Sequence, residues 1–253
     1  MGNIFHVLVT QPILNALIWL YDVLPGHDIG FAIIALTILV KALLHPFTVA
    51  QIKQQRELQS LQPKIDEIRK TIKDKEEQSK ALTELYKKEK VNPAASCLPL
   101  LIQIPIFIGL FRAMRDGIAG TGLDALYSFV PKPAQINHQF LGIVDLAVPS
   151  LVLAVLAGAI QFYQSWQMMQ QKGLTAPPPK EVEGTLTGKE ESMAASMNKQ
   201  MMYMMPVVTI LAGAKFPAGL ALYWVVMSAL TVLQQAVFLK KPVPPKTEPQ
   251  LQA

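Results

Sequence analysis

Cysteine is almost missing: Cys97 stands alone in 253 residues. A disulfide framework and any CxxC metal or redox site are therefore excluded. Histidine is scarce, four in all, and no HExxH occurs, so the common zinc-hydrolase signature is absent. Nor is there a GxxxxGKS, GxxxxGKT, GxSxG or GxGxxG motif. Nucleotide and hydrolase chemistry have no foothold, no cofactor is expected, and the chain does not read as an enzyme. Charge is the fourth shortage. Only 16% of residues are charged against 51% hydrophobic, where a soluble domain carries about 25% charged. Residues 51–92 alone hold 19 of the 41 charged side chains, eleven basic and eight acidic. One soluble core cannot absorb so much apolar sequence, but several spans of about 20 residues can. The composition predicts an all-α polytopic membrane protein with one charged appendage.

The apolar runs 30–47, 94–114, 146–166, 201–214 and 216–238 predict five transmembrane helices. With their flanks these helices occupy 29–49, 93–116, 146–166, 199–214 and 215–238. Met201–Ala214 is short for a span and either borrows Asn198–Gln200 or sits where the bilayer is thin. Residues 1–28 are also apolar, but His6, Thr10, Gln11, Pro12 and Asn15 interrupt them. After Pro12, the residues Leu14, Leu17, Ile18 and Tyr21 follow helical spacing. Pro12 suits a first helical turn, with Thr10 or Gln11 near the cap. An amphipathic helix lying in the external interface is favoured over a sixth span. A cleaved signal peptide is disfavoured because residues 1–28 lack Lys and Arg.

Basic residues orient the helices. Segment 50–92, the connection 167–198 with Lys199 beside it, and the tail 239–253 place 18 of them on one side. Only Arg112, Arg115, Lys132 and Lys215 fall on the other, the first three in and around the external loop 117–145 and the last between the fourth and fifth spans. The N-terminus is expected outside and the C-terminus in the cytoplasm. Within 50–92, Leu58, Leu61, Ile65, Ile68 and Ile72 repeat at spacings of 3 and 4. The polar run Lys73–Lys80 can turn, and Leu82, Leu85 and Tyr86 can pack back onto the seam. An antiparallel cytoplasmic hairpin, with Pro63 opening a helical segment, is favoured over a solvated linker. Its net charge of +3 is too small for a nucleic-acid patch, so no sequence-specific nucleic acid is expected. It could touch lipid headgroups, a ribosome or a protein partner.

The first span carries Lys41, six residues before Phe47 and so about 9 Å inside the apolar end. A lysine at the bilayer centre costs on the order of 2.5–3.5 kcal/mol, which snorkelling relieves only in part. Thr37, Lys41, His45 and Thr48 recur as one polar face, which favours a functional, water-exposed lysine over passive snorkelling. Ser96 and Gln103 lie seven apart in the second span, which Pro99 and Pro105 are expected to bend. Gln161 and Ser165 share a face of the third, with Gln164 beside it, and Trp224, Ser228, Thr231 and Gln235 line the last. Each taken singly reads as interhelical glue. Four stripes and a lysine together predict a wet, positively charged groove, because lipid accepts none of them. Met193, Met197, Met201 and Met205 recur every four residues. Ordinary packing or lipid contact is slightly favoured there over a surface adapted to many apolar partners.

These pieces resemble the YidC/Oxa/Alb family of membrane protein insertases across nearly the whole chain. The matching segments are LQPKIDEIRK (61–70), LYKKEKVNP (85–93) leading into CLPLLIQIPIFIGLF (97–111), and FPAGLALYW (216–224) leading into QQ at 234–235. The resemblance implies a five-helix core around a hydrophilic groove, open to cytoplasm and lipid and closed outside. It also implies the interfacial helix and the mobile hairpin already read from the residues. In the family a basic residue, most often arginine, sits in the groove on the first span, and Lys41 occupies that position. Gln164 resembles the groove glutamine of the third span and Trp224 the groove aromatic of the last. The expected groove lining is Thr37, Lys41, His45, Gln103, Gln161, Gln164, Trp224, Ser228 and Thr231. The implied setting is the bacterial plasma (inner) membrane, with nascent membrane proteins, the ribosome, the signal recognition particle pathway and the Sec translocon as partners.

Three features depart from the family pattern. Lysine can lose its charge when buried, whereas arginine cannot. No lipobox cysteine or large external domain precedes the core, so the chain resembles the short forms. The tail 239–253 is short and proline-rich with three lysines, unlike a long basic ribosome tether. The rival readings are a small-anion transporter or channel built on Lys41, and a scaffold docking through its hairpin. Five spans without visible inverted repeats disfavour a secondary transporter.

Overall fold

The computed structural model describes residues 2–92, 98–118, 122–171 and 203–239. Ser96, Cys97, Met193, Met197, Met201, nearly all of the connection 167–198 and the tail from Lys240 lie outside them.

The chain begins with α1 (Gly2–Phe5), a π-helical stretch (His6–Thr10) and α2 (Gln11–Val23), which follow one another without a break. Pro12 stands in the first turn of α2 with Thr10 at the cap position, as expected, but Thr10 is itself helical (φ −67°, ψ −47°) and its side chain caps nothing. Pro12 cannot donate its backbone N–H, and its ring crowds the carbonyl four residues earlier. Widening the preceding turn to π geometry relieves both problems. Leu14, Leu17, Ile18 and Tyr21 bury their stripe in the protein. The polar residues beside it serve the loop around residues 125–127. Gln11 Nε2 donates to Ala125 O at 3.0 Å, and Asn15 Oδ1 accepts from Tyr127 N at 2.6 Å.

Helix α3 (Ile29–Leu43) starts at Asp28, whose side chain accepts from Gly30 N. It stops at Leu44, and α4 (His45–Ser60) leaves it at 58°. The expected straight span 30–47 is therefore bent, because Pro46 lacks the N–H that would continue the α3 ladder. The polar face from Thr37 to Thr48 is interrupted with it. Thr37 is 2% exposed and donates to Ile33 O at 2.6 Å, and Thr48 donates to Leu44 O at 3.1 Å.

Helices α5 (Gln62–Thr71) and α6 (Lys75–Lys88) pack against each other, with Pro63 in the first turn of α5. Lys64 near the start of α5 bonds Glu89 just past the end of α6 at 2.8 Å, so the two run antiparallel. The turn is tighter than the polar run suggested. Asp74 caps α6 by accepting from Glu76 N and Glu77 N, both at 2.9 Å, so Lys75–Lys80 is helical and only residues 72–74 turn. At the other end Lys90 is left-handed (φ 55°) and Val91 N bonds Tyr86 O at 3.0 Å, a Schellman closure. It folds Val91 onto Leu61 and Ile65, which Leu82, Leu85 and Tyr86 flank.

Helices α7 (Leu98–Ile118) and α8 (Leu151–Gln171) have 21 residues each, about 32 Å of helix. Pro105 lies inside α7 without interrupting it. The loop between them contains the short strands β1 (Gln139–Phe140) and β2 (Val144–Asp145), paired antiparallel. This loop holds the starts of two helices, α3 and the last one: Asn137 O accepts from Ile29 N, Leu146 O from Gly219 N, and Val148 O from Ala218 N. It takes up Leu146–Ser150, so α8 starts later than the expected third span. Helices α9 (Tyr203–Gly213) and α10 (Ala218–Leu239) complete the described chain.

One core joins Leu17 and Tyr21 of α2, Ile33 and Leu36 of α3, Leu110 and Met114 of α7, and Leu220 and Tyr223 of α10. Gly158 of α8 lets α9 approach, since a Cβ there would meet Ile210 and Pro206 O. Ala218–Val237 is long and apolar enough to cross a membrane, and the bent pair Ile29–Leu43 with His45–Gln54 passes the same test together. Ala218–Tyr223 is buried, whereas most of the rest of this segment is half-buried or exposed.

Candidate functional site

The site is built where the C-terminal half of α10 faces the end of α3. Lys41 stands in the last turn of α3, where the helix dipole favours a cation. Its Nζ donates to Thr231 Oγ1 of α10 at 2.9 Å. That hydroxyl donates in turn to Met227 O at 2.7 Å, so its lone pairs, not its proton, face the lysine. An ammonium has three N–H donors, and among the described residues this is the one acceptor Lys41 has. One turn further, His45 Nδ1 lies 3.0 Å from Gln234 Nε2. The amide nitrogen has no lone pair to accept with, so Nδ1 is the acceptor.

Deeper along α10 the contacts turn to α7. The Gln103 amide donates to the Tyr223 hydroxyl, and Tyr223 is buried. Trp224 stacks on Phe107 with ring centroids 5.6 Å apart and planes 6° from parallel. Gln103 and Phe107 are one helical turn apart, so both fall on the α10-facing side of α7. Ser228 is half-buried between the Trp224 and Thr231 turns. Thr37, expected to line the groove, is instead committed to its own helix and borders a small gap shared with Leu36, Val40, Leu110 and Tyr223.

On α8 the expected residues are placed differently. Gln161 Oε1 accepts from Thr209 Oγ1 of α9, so it joins these two helices. Gln164 is half-buried. Toward the α8 and α10 C-termini, Gln167, Gln234 and Gln235 each keep a buried side-chain oxygen that has no partner among the described residues. A buried acceptor left unpaired costs about 1–3 kcal/mol, which water relieves where the site is polar. This end of the helices can be wet. The opposite end, at Asp28, is covered by the β1–β2 loop.

Tyr223, Phe107, Thr209 and Gln234 complete these contacts without having been singled out from the sequence. Tyr223 precedes Trp224 and Gln234 precedes Gln235, so both lay within quoted motifs. Phe107 lay within the quoted segment 97–111 as well, whereas Thr209 carries no local signal, because only the helix crossing gives it a partner.

The chain matches the family model described as 60Kd inner membrane protein over residues 19–245. It is 34% identical over 215 residues to the membrane protein insertase YidC of Fusobacterium nucleatum, covering 85% of this chain and 87% of that one. The insertase YidC of Aeromonas salmonicida is 33% identical over 230 residues, covering 88% of this chain and 35% of the relative. That of Geobacter metallireducens is 32% identical over 241 residues, covering 93% and 38%. The chain thus spans little more than a third of these two longer relatives. A crystal structure titled as an active YidC insertase with its first transmembrane domain resolved superposes with a TM-score of 0.55. It is 25% identical, over 95% of this chain and 47% of that one. A family match from α2 through α10 and a relative aligned over most of both chains place this protein in the 60Kd inner membrane protein family.

Proposed function

We propose that this protein integrates and helps fold nascent membrane proteins in the bacterial inner membrane, without nucleotide hydrolysis. The observation that carries the reading is the Lys41–Thr231 contact between two apolar helices, 2.9 Å long, at the end of α10 where the Gln234 and Gln235 side-chain oxygens have no partner among the described residues. In this reading α3 with α4, α7, α8, α9 and α10 form five spans around a hydrophilic groove lined by Lys41, His45, Gln103, Gln161, Gln164, Trp224, Ser228 and Thr231. The N-terminus is outside, with its helix at the interface, and the C-terminus and the α5–α6 hairpin are cytoplasmic. The family relationship supports this arrangement.

A client's hydrophobic helix slides along the apolar outer faces while its polar flank sits in the groove. There water, Gln103 and the Lys41 ammonium lower the cost of carrying polar groups inward. An acidic flank gains most, because opposite charges attract more strongly at low effective dielectric than in water. Release follows when the flank passes outside and the helix partitions into lipid. The ribosome, the signal recognition particle pathway and the Sec translocon are the proposed partners in delivery, received by the hairpin.

Purified protein in liposomes tests this. A translated small membrane protein should integrate, acquiring protease protection, while solute flux stays at the level of empty liposomes. Anion flux without integration would make the protein a transporter, and neither activity would leave a scaffold.

A further inference from the structure

We propose that the tip of the β1–β2 hairpin, Leu141 with Ile143, is a membrane anchor seated at the headgroup–acyl boundary of the leaflet on the Asp28 side. The inference rests on reading α3 as a span.

The tip is held at a defined depth. Asp28, the cap of α3, accepts from Leu141 N at 2.9 Å through one oxygen and from Gly30 N at 2.7 Å through the other. The Phe140 ring packs over Gly30, where a Cβ would collide with it. The same ring meets Phe31 edge-on at 5.6 Å. The tip is therefore fixed beside the first turn of α3, the level at which a span enters the interface.

Its chemistry is apolar where a water-facing turn would be polar. Leu141 (φ 55°) and Gly142 (φ 69°) are both left-handed, and Ile143 N bonds Phe140 O at 3.0 Å. Such a turn favours asparagine or glycine at its first central position, so leucine answers no demand of the backbone. Nor does it serve the core: Leu141 is 59% exposed and Ile143 is 81% exposed. No charged residue occurs between Lys132 and Asp145. The other arm of the loop is ionic, with exposed Lys132 and Asp124 paired at 2.7 Å. The loop thus carries an exposed ion pair on one arm, with exposed Phe129 between its two residues, and an apolar tip.

Lipid fits this tip better than a second copy does. Val148 ahead of α8, Leu151 and Val152 in its first turn and Phe31 in the first turn of α3 are exposed apolar residues as well. Those are faces that spans give to lipid. Two tip side chains are far short of the roughly 800 Å² per partner of a stable protein interface, whereas interfacial anchoring needs only a shallow apolar insertion.

The test places a nitrobenzoxadiazole probe on Ile143→Cys in a Cys97→Ser background, in phosphatidylcholine–phosphatidylglycerol liposomes. Lys132→Cys carries the same probe as the water-facing reference. Emission at position 143 should be blue-shifted, and iodide should quench it about fivefold less than at 132. A nitroxide lipid labelled near the headgroup should quench the 143 probe strongly. Equal iodide quenching at both positions overturns the proposal. Shielding from both quenchers, with disulfide-linked dimers of the unlabelled variant, also overturns it by showing that a second copy covers the tip. If Ile143→Cys fails to fold, Leu141→Cys gives the same readout. Labelling Lys132→Cys with an impermeant thiol reagent separately reports the side the loop occupies. An inward loop with a lipid-quenched tip would refute the proposed orientation and leave the anchor standing.

Discussion

Lys41 and Thr231, 190 positions apart in the chain, are joined Nζ to Oγ1 at 2.9 Å across the α3–α10 crossing. Because Thr231 spends its own proton on Met227 O, it is oriented to accept from the ammonium. Valine at this position keeps the shape and loses the acceptor. Lys41→Ala, Thr231→Val and the double variant should therefore be non-additive in thermal unfolding, with a coupling of about 0.5–1.5 kcal/mol. Strictly additive effects would mean that the two side chains do not interact.

Asp28 should be the most sensitive residue of the covered end. Its carboxylate satisfies two backbone N–H groups, Gly30 and Leu141. Asp28→Ala strands the Gly30 N–H in a buried place and the Leu141 N–H in a partly buried one, and should cost about 1–3 kcal/mol, read as a fall in Tm of the detergent-solubilised protein. Asp28→Asn keeps one accepting oxygen and should lie between. A wild-type Tm for the alanine variant would show that neither bond holds the loop.

The α5–α6 hairpin buries its own small cluster of Leu61, Ile65 and Val91, apart from the main core. Replacing residues 63–89 with a short flexible linker should leave a folded, membrane-integrated protein that inserts clients poorly. Wild-type insertion by that variant would remove the hairpin from delivery.

Topology is tested by single cysteines at Asn3, Lys75 and Gln250 in the Cys97→Ser background. An impermeant thiol reagent outside intact cells should label position 3 and spare 75 and 250. Labelling of Lys75→Cys would reverse the proposed orientation.

Much of this architecture is legible in the sequence because apolar periodicity and proline chemistry are local. The seam residues Leu61 and Ile65 do pack against Leu82, Leu85 and Tyr86, as their spacing demands. Local signals failed where two rules competed. Pro12 reads as a helix start and does stand in the first turn of α2, yet helix already precedes it, as the π-helical stretch His6–Thr10. Pro46 sits inside an apolar run that reads as one span, yet it bends the helix by 58°. The polar run Lys73–Lys80 reads as a turn, yet the Asp74 cap makes most of it helical. Pairings between distant helices were beyond reach. Thr37 and Lys41 look equivalent on a helical wheel, but α10 offers an acceptor only to Lys41, while Thr37 turns back on its own helix.

Integration of a single client, made with an acidic and with a neutral translocated flank, by wild type and by Lys41→Ala at matched protein levels in liposomes decides whether the groove acts through its charge. The alanine variant should lose about tenfold on the acidic flank and less than about twofold on the neutral one. Lys41→Arg should retain activity on both, and Lys41→Glu should be worse than alanine on the acidic flank. Equal activity of Lys41→Ala on the two flanks would contradict this account and leave the neutral polar residues and water to carry the client.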